Sequence, residues 1–204
     1  MQVTLSRKAL KAAAVCSARK DIRYYLNGVN VSFMPDNDKW WAVYAATEGH
    51  ILFTGKAPCN KDEGLPPESL IIPFDVVKNA CKGSNRTLDG IFLVTRDNGQ
   101  YQLGDVVFTP IDGKFPDYTR VIPQTLSGVV AQFNPYLLAQ GQNALQTWQD
   151  NSRLTCGIQH NGDSAGVMGD LSDAVVVVMP MRYSFDEYKP FEFPRQDNAE
   201  KQAA

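Results

Sequence analysis

A short β-type opener, a helix and three further β-type segments recur three times along these 204 residues, at a period of roughly 60 to 70 residues. A repeat of that size means that each copy is one supersecondary unit, which buries its apolar face by packing on its neighbours. The first copy opens with Val3-Thr4-Leu5, then Ser6, a good helix N-cap, before a helix over 7–19 with Leu10, Ala13 and Ala14 on one side. The second opens with Leu70-Ile71-Ile72-Pro73 and continues as a helix over 74–82. The third opens with a strand over 129–133, after which Asn134 caps a helix that has Pro135 at its first position.

Three β-type segments follow each helix. In the first copy they cover 23–33, 40–47 and 50–55; in the second 90–96, 100–103 and 106–109; in the third 154–160, 165–169 and 174–181. Asn98-Gly99 and Asn161-Gly162 supply hairpin turns. Val175 to Val178 is apolar at every position, as in a strand buried on both faces. The chain is therefore expected to be α+β, built of three βαβββ modules, with the Pro- and Gly-containing stretches 58–67 and 111–127 as connectors. Beyond Tyr183 a polar tail is expected to be partly disordered. Its first half differs, because Phe185, Tyr188, Phe191 and Phe193 sit among acidic residues in the manner of a docking segment.

Charge and composition exclude several classes. Lys and Arg total 20 against 22 Asp and Glu, a net charge of -2, so any affinity for nucleic acid requires cations gathered on one face. No apolar run approaches the roughly 20 residues of a membrane span, and the N-terminal residues do not read as a signal peptide, so a cytoplasmic protein without membrane contact is expected. Cys16, Cys59, Cys81 and Cys156 are scattered, and His50 and His160 are the only histidines, which leaves no metal-site spacing. Neither a phosphate-binding G-x-x-x-x-G-K-[ST] loop, nor H-E-x-x-H, nor a nucleophile with an assignable base is present. No catalysis, cofactor or metal is expected.

Four stretches carry a resemblance. They are Asp21-Ile22-Arg23-Tyr24-Tyr25-Leu26-Asn27-Gly28, Ala46-Thr47-Glu48-Gly49-His50, Gly113-Lys114-Phe115-Pro116-Asp117-Tyr118 followed by Arg120-Val121-Ile122-Pro123, and Val177-Val178-Met179-Pro180-Met181-Arg182. In kind and order they resemble segments of the bacterial β sliding clamp, the processivity ring of DNA polymerase III. That family's fold uses the same βαβββ module, two per domain, with helices lining a central hole and sheets outside. The resemblance implies that 1–123 is a complete clamp domain similar to the family's second, that 127–183 is half a domain similar to the end of its third, and that 184–204 is a tail. The family's subunit has six modules and this chain has three.

The resemblance further implies a pocket for partner peptides at Leu26, Thr47, Gly49, His50, Leu52, Pro116, Arg120, Val121, Val178, Met179, Pro180, Met181 and Arg182. Ile51 stands where the family commonly has Arg, which makes the rim less basic. Arg7, Lys8, Lys11, Arg19, Lys20, Lys78 and Lys82 would face the phosphates of double-stranded DNA without reading its sequence. The expected function is that of a sliding clamp, a processivity factor that encircles DNA and binds the peptide motifs of a polymerase and a clamp loader. The alternative is a peptide-binding mimic that never encircles DNA. Ring closure by twelve modules makes a homo-tetramer the favoured assembly, with the third module pairing across to another subunit.

Overall fold

The computed structural model describes residues 2–37, 39–61, 67–83, 89–169 and 172–182. The tail aromatics Phe185, Tyr188, Phe191 and Phe193 lie outside the described residues.

Three helices lie against a curled antiparallel sheet. The first module is β1 (Gln2–Ser6), α1 (Arg7–Val15), β2 (Gly28–Asp36), β3 (Lys39–Thr47) and β4 (Ile51–Lys61). The second is β5 (Ser69–Pro73), α2 (Phe74–Ala80), β6 (Gly90–Thr95), β7 (Tyr101–Leu103) and β8 (Val106–Phe108). The third is α3 (Pro135–Gln149), β9 (Ile158–Gln159), β10 (Gly166–Met168) and β11 (Ala174–Val178). The main path of the sheet runs β5-β2-β3-β4-β1-β6-β7-β8. It curls enough that β5 at one end and β7 and β8 at the other all reach α2.

Helix α1 sits at the centre because its sequence lets it be covered on several sides. Ala9, Leu10, Ala12 and Ala13 are fully buried, and small alanines allow the sheet, α2 and α3 to approach closely. Its N-terminus is capped twice. The Ser6 hydroxyl accepts from the Ala9 amide at 3.1 Å and donates to the Asp89 carboxylate at 2.6 Å, while that carboxylate accepts from the Lys8 amide at 2.7 Å. A carboxylate there answers both the unpaired amides and the positive end of the helix dipole. The hairpin signal at Asn98-Gly99 is realised with φ of 57° and 73°, the two positive values of a type I′ turn.

In the third module the strand expected over 129–133 is irregular chain, and that expected over 154–160 shrinks to Ile158–Gln159. Only isolated bonds tie the two, Gly128 N–H to the His160 carbonyl at 3.1 Å and Gly162 N–H to the Val129 carbonyl at 2.8 Å. The His160 imidazole Nδ1 accepts from the Ala131 amide at 3.0 Å, so a side chain stands where a ladder carbonyl would be needed. The segment over 23–26 is likewise a 3-10 turn, Tyr24–Leu26, rather than the start of β2.

Over Val176 to Val178 both edges of β11 are taken by strands of this chain. One edge of β4 is shared out, with Thr4 and Val3 of β1 opposite Asn60 and Lys61, and Ala174 to Val178 of β11 opposite Gly55 to Ile51. The other edge of β11 carries β10. On the helical side α3 packs on α1, and Gln140 Nε2 donates to the Val15 carbonyl at 2.6 Å. Trp148 lies 5.6 Å from Phe53, over Gly55, where an added Cβ would stand 2.9 Å from the indole ring.

Candidate functional site

On the sheet face away from the helices, a cavity of about 200 Å³ opens where four distant parts of the chain meet. Its floor is strand: Leu52 of β4 faces Val177 of β11, and both are buried with Ala165 beneath Tyr118 and Ile122. Those two residues bring the 3-10 turn Tyr118–Val121 down onto the sheet. The turn is held locally by Asp117, whose carboxylate accepts from the Thr119 hydroxyl at 2.6 Å, the Thr119 amide at 3.3 Å and Arg120 Nε at 2.9 Å. These bonds, that of the Thr119 hydroxyl first, hold the Asp117 carboxyl below the usual carboxylate range.

The opposite wall is the turn Tyr24–Leu26, and an Asx-type lock sets it. Asn27 accepts from the Asp21 amide and donates to the Asp21 carbonyl, both at 2.9 Å. Arg23 closes a bidentate pair with the Asp21 carboxylate at 3.0 and 2.7 Å and also donates to the Glu48 carbonyl at 3.1 Å. Hydrogen bonding from Arg23 lowers the Asp21 carboxyl to about 2.

The third wall is the β3–β4 turn. The Thr47 hydroxyl donates to the Ile51 carbonyl at 2.6 Å and accepts from the Gly49 amide at 3.0 Å. A Glu48 oxygen accepts from the amides of His50 and Ile51 at 2.8 and 3.1 Å. Gly49 takes φ of +110° directly under the Arg23 guanidinium, a place that suits only glycine. Met179 closes the cavity past the end of β11, its amide bonded to the His50 carbonyl at 2.8 Å.

Of the expected pocket residues, Leu26, Thr47, Gly49, His50, Leu52, Pro116, Val121 and Met179 line this cavity. Val178 does not: it is fully buried on the helix-facing side, and its neighbour Val177 takes the place at the cavity. Arg120 is exposed and paired with Asp117 rather than lining the space. Pro180, Met181 and Arg182 follow just outside, with the Met181 amide on the Gln132 carbonyl at 2.7 Å. Ile51, expected at the rim, lines the cavity too, and Arg23, Tyr25, Asp117, Tyr118 and Val177 are lining residues that the sequence reading missed. Arg23, Tyr25, Asp117, Tyr118 and Val177 all stand within the quoted segments, so the signal was present for them. Two larger hollows, of about 500 and 620 Å³, flank α1 but are lined with many charged and amide groups, such as Arg19, Glu48 and Gln140 in one and Lys8, Lys56 and Asp173 in the other.

The seven cations expected to face DNA do not form one free surface. Arg7 donates to the Ala80 carbonyl at 2.9 Å and Lys11 to the Gly83 carbonyl at 2.8 Å, which places both at the negative end of α2. The Arg19 guanidinium lies 4.5 Å from the centre of the Phe74 ring. Lys8 is half-buried, whereas Lys20, Lys78 and Lys82 are exposed. On α3, Gln142 and Gln146 hold the Leu154 carbonyl instead of facing outward. Among the described residues no cluster of three or more His, Cys, Asp or Glu could hold a metal, and no helix is long and apolar enough to cross a membrane.

No family model matches the chain. Among curated proteins it is 36% identical over 130 residues to the beta sliding clamp of Proteus mirabilis, covering 60% of this chain and 33% of that protein. With the beta sliding clamp of Escherichia coli (strain K12) it shares 34% identity over 130 residues, 60% of this chain and 32% of the relative. The chain thus spans about a third of the length of the curated relatives it matches. Among solved structures, the DNA polymerase III beta subunit of Thermotoga maritima superposes with a TM-score of 0.67 at 16% identity, over 90% of this chain and 66% of that one. This chain has the sliding-clamp fold. A clamp from Bartonella birtlesii, solved bound to griselimycin, gives a TM-score of 0.62 at 20% identity, over 89% of this chain and 66% of its own. The clamp fold accounts for the α+β architecture.

Proposed function

We propose that this chain is a non-enzymatic sliding clamp that works in the cytoplasm, encircles duplex DNA as a homo-oligomer and docks peptide motifs of a polymerase and a clamp loader in the 200 Å³ cavity. One observation carries the reading. The four segments that resemble the clamp family, spread from Asp21 to Arg182, each send residues into that one cavity. Separate structural needs would not bring them together. The likeness to proteins named beta sliding clamps supports the same conclusion.

The cavity suits a peptide's apolar side chains. Leu26, Leu52, Val121, Val177 and Met179 offer an apolar lining, and methionine adapts to differently shaped anchors. Buried aromatic or leucine anchors would supply most of the affinity, with Tyr25 and Tyr118 flanking them. The test is binding of a synthetic peptide carrying a glutamine and a spaced leucine-phenylalanine pair. Micromolar affinity, about -8 kcal/mol, is expected, and Met179→Ala should weaken it by about 1–3 kcal/mol. Absence of binding by the intact protein at high micromolar peptide overturns the reading.

For assembly, a wall tiled by helices about 10 Å wide around a duplex needs many modules, and four copies of three supply the twelve of a clamp ring. A solution mass near four chains is expected, and a monomer at high micromolar concentration overturns the ring.

A further inference from the structure

The cavity ends on Met179, only a few residues before an aromatic segment of the same chain. Met179 lines the space, Met181 is tied to Gln132 by its amide, and Arg182 is the last described residue. Ser184 to Phe193 then reads Ser-Phe-Asp-Glu-Tyr-Lys-Pro-Phe-Glu-Phe, with four aromatics in ten residues. At about 3.3–3.6 Å per residue, Phe185 can reach about 10 Å from Arg182 and Tyr188 about 20 Å.

We propose that the segment 184–193 is a tethered occupant of the peptide cavity, which partner peptides must displace. The inference rests on the cavity being a peptide site. Apolar burial rather than charge drives it, because Arg23 and Arg120 at the rim already have acids beside them, Arg23 with Asp21 and Arg120 with Asp117. Asp186, Glu187 and Glu192 therefore gain little there, and the aromatic rings are the groups the apolar lining can use. A linker this short holds the segment at an effective concentration in the millimolar range, so even a sequence with millimolar intrinsic affinity occupies the site much of the time. Such a device makes the site answer only to ligands that outcompete the tail.

The test uses the full chain and a full-length variant with Phe185, Tyr188, Phe191 and Phe193 all replaced by Ala. The probe is the glutamine and leucine-phenylalanine peptide, followed by calorimetry, with the Met179 methyl resonance as an independent readout. The expected result is about threefold or greater tightening in the variant, a shifted Met179 methyl signal, and competition by a free peptide of residues 184–193. Equal affinity in both proteins with an unmoved methyl overturns the tail proposal and leaves the peptide site standing. If neither protein binds the probe, the peptide-site reading fails. The methyl then decides the tail alone, a shift supporting its occupancy of the cavity and no shift overturning it.

Discussion

Val177 and Val178 are adjacent in β11 yet serve opposite sides of the sheet. Val177 stands opposite Leu52 and faces the cavity, while Val178 stands opposite Ile51 and belongs to the core under the helices. Alternation along a strand makes this unavoidable, and it separates two functions by one residue. Val178→Ala should cost about 1.5–2.5 kcal/mol of stability through lost methyl burial, and leave the affinity of the cavity for the leucine-phenylalanine peptide almost unchanged. Val177→Ala should instead weaken that affinity several-fold. Denaturant unfolding and calorimetry on both variants check the pair, and equal effects of the two on affinity would refute the assignment.

Gly55 decides how the third module sits on the first. Trp148 of α3 lies over this position, and a Cβ there would meet two of its ring atoms at 2.9 Å and the Ala174 methyl at 3.1 Å. An indole in a packed core cannot shift without moving its helix. Gly55→Ala should therefore destabilise by about 1–3 kcal/mol despite the better strand propensity of alanine, because overpacking outweighs propensity. A rise in the unfolding midpoint would show that α3 is free to lift.

The modular repeat and the helix starts were legible because they rest on local chemistry. Ser6 and Asn134 cap their helices as read, and Asn134 accepts from the Tyr136 amide at 3.0 Å. The third module was less legible. Residues 129–133 have strand-forming side chains, yet Val129 and Val130 are 60% and 80% exposed, since propensity cannot supply a partner. In the site, an all-valine strand carries no polar mark to say which face is wet, so the sequence could not choose Val177 over Val178. The partners of the α1 cations were illegible for a similar reason: a lysine's position on a helix does not show that a neighbouring carbonyl holds it, as the Gly83 carbonyl holds Lys11.

Acid should open the Arg23 wall of the cavity. The folded Asp21 carboxyl, at about 2, lies below its ordinary value of 3.8, with the hydrogen bond from Arg23 as the main cause. A depressed carboxyl adds stability that is fully present above its unfolded value and is lost as pH falls through its folded value, here from about pH 4 downward through about 2. Carbon-13 detection of the Asp21 carboxyl should give a midpoint near 2. Arg23→Gln should return it toward its ordinary value of 3.8. An unchanged midpoint in that variant would place the cause elsewhere.

The cations around α1 should divide into two classes. Arg7 spends its guanidinium on the Ala80 carbonyl at the end of α2, so Arg7→Ala should lower stability by about 1 kcal/mol. It should do little to the salt dependence of DNA association. Lys78 and Lys82 are exposed, so replacing both with Ala should leave stability within about 0.5 kcal/mol. If they meet phosphates, the slope of log affinity against log salt should become shallower by about 0.9 for each phosphate no longer neutralised. Fluorescence anisotropy with a labelled linear duplex, read across about 50–200 mM salt, measures those slopes. A slope that falls for Arg7→Ala and holds for the double lysine variant would reverse the two classes and move the DNA-facing surface to the α1–α2 junction.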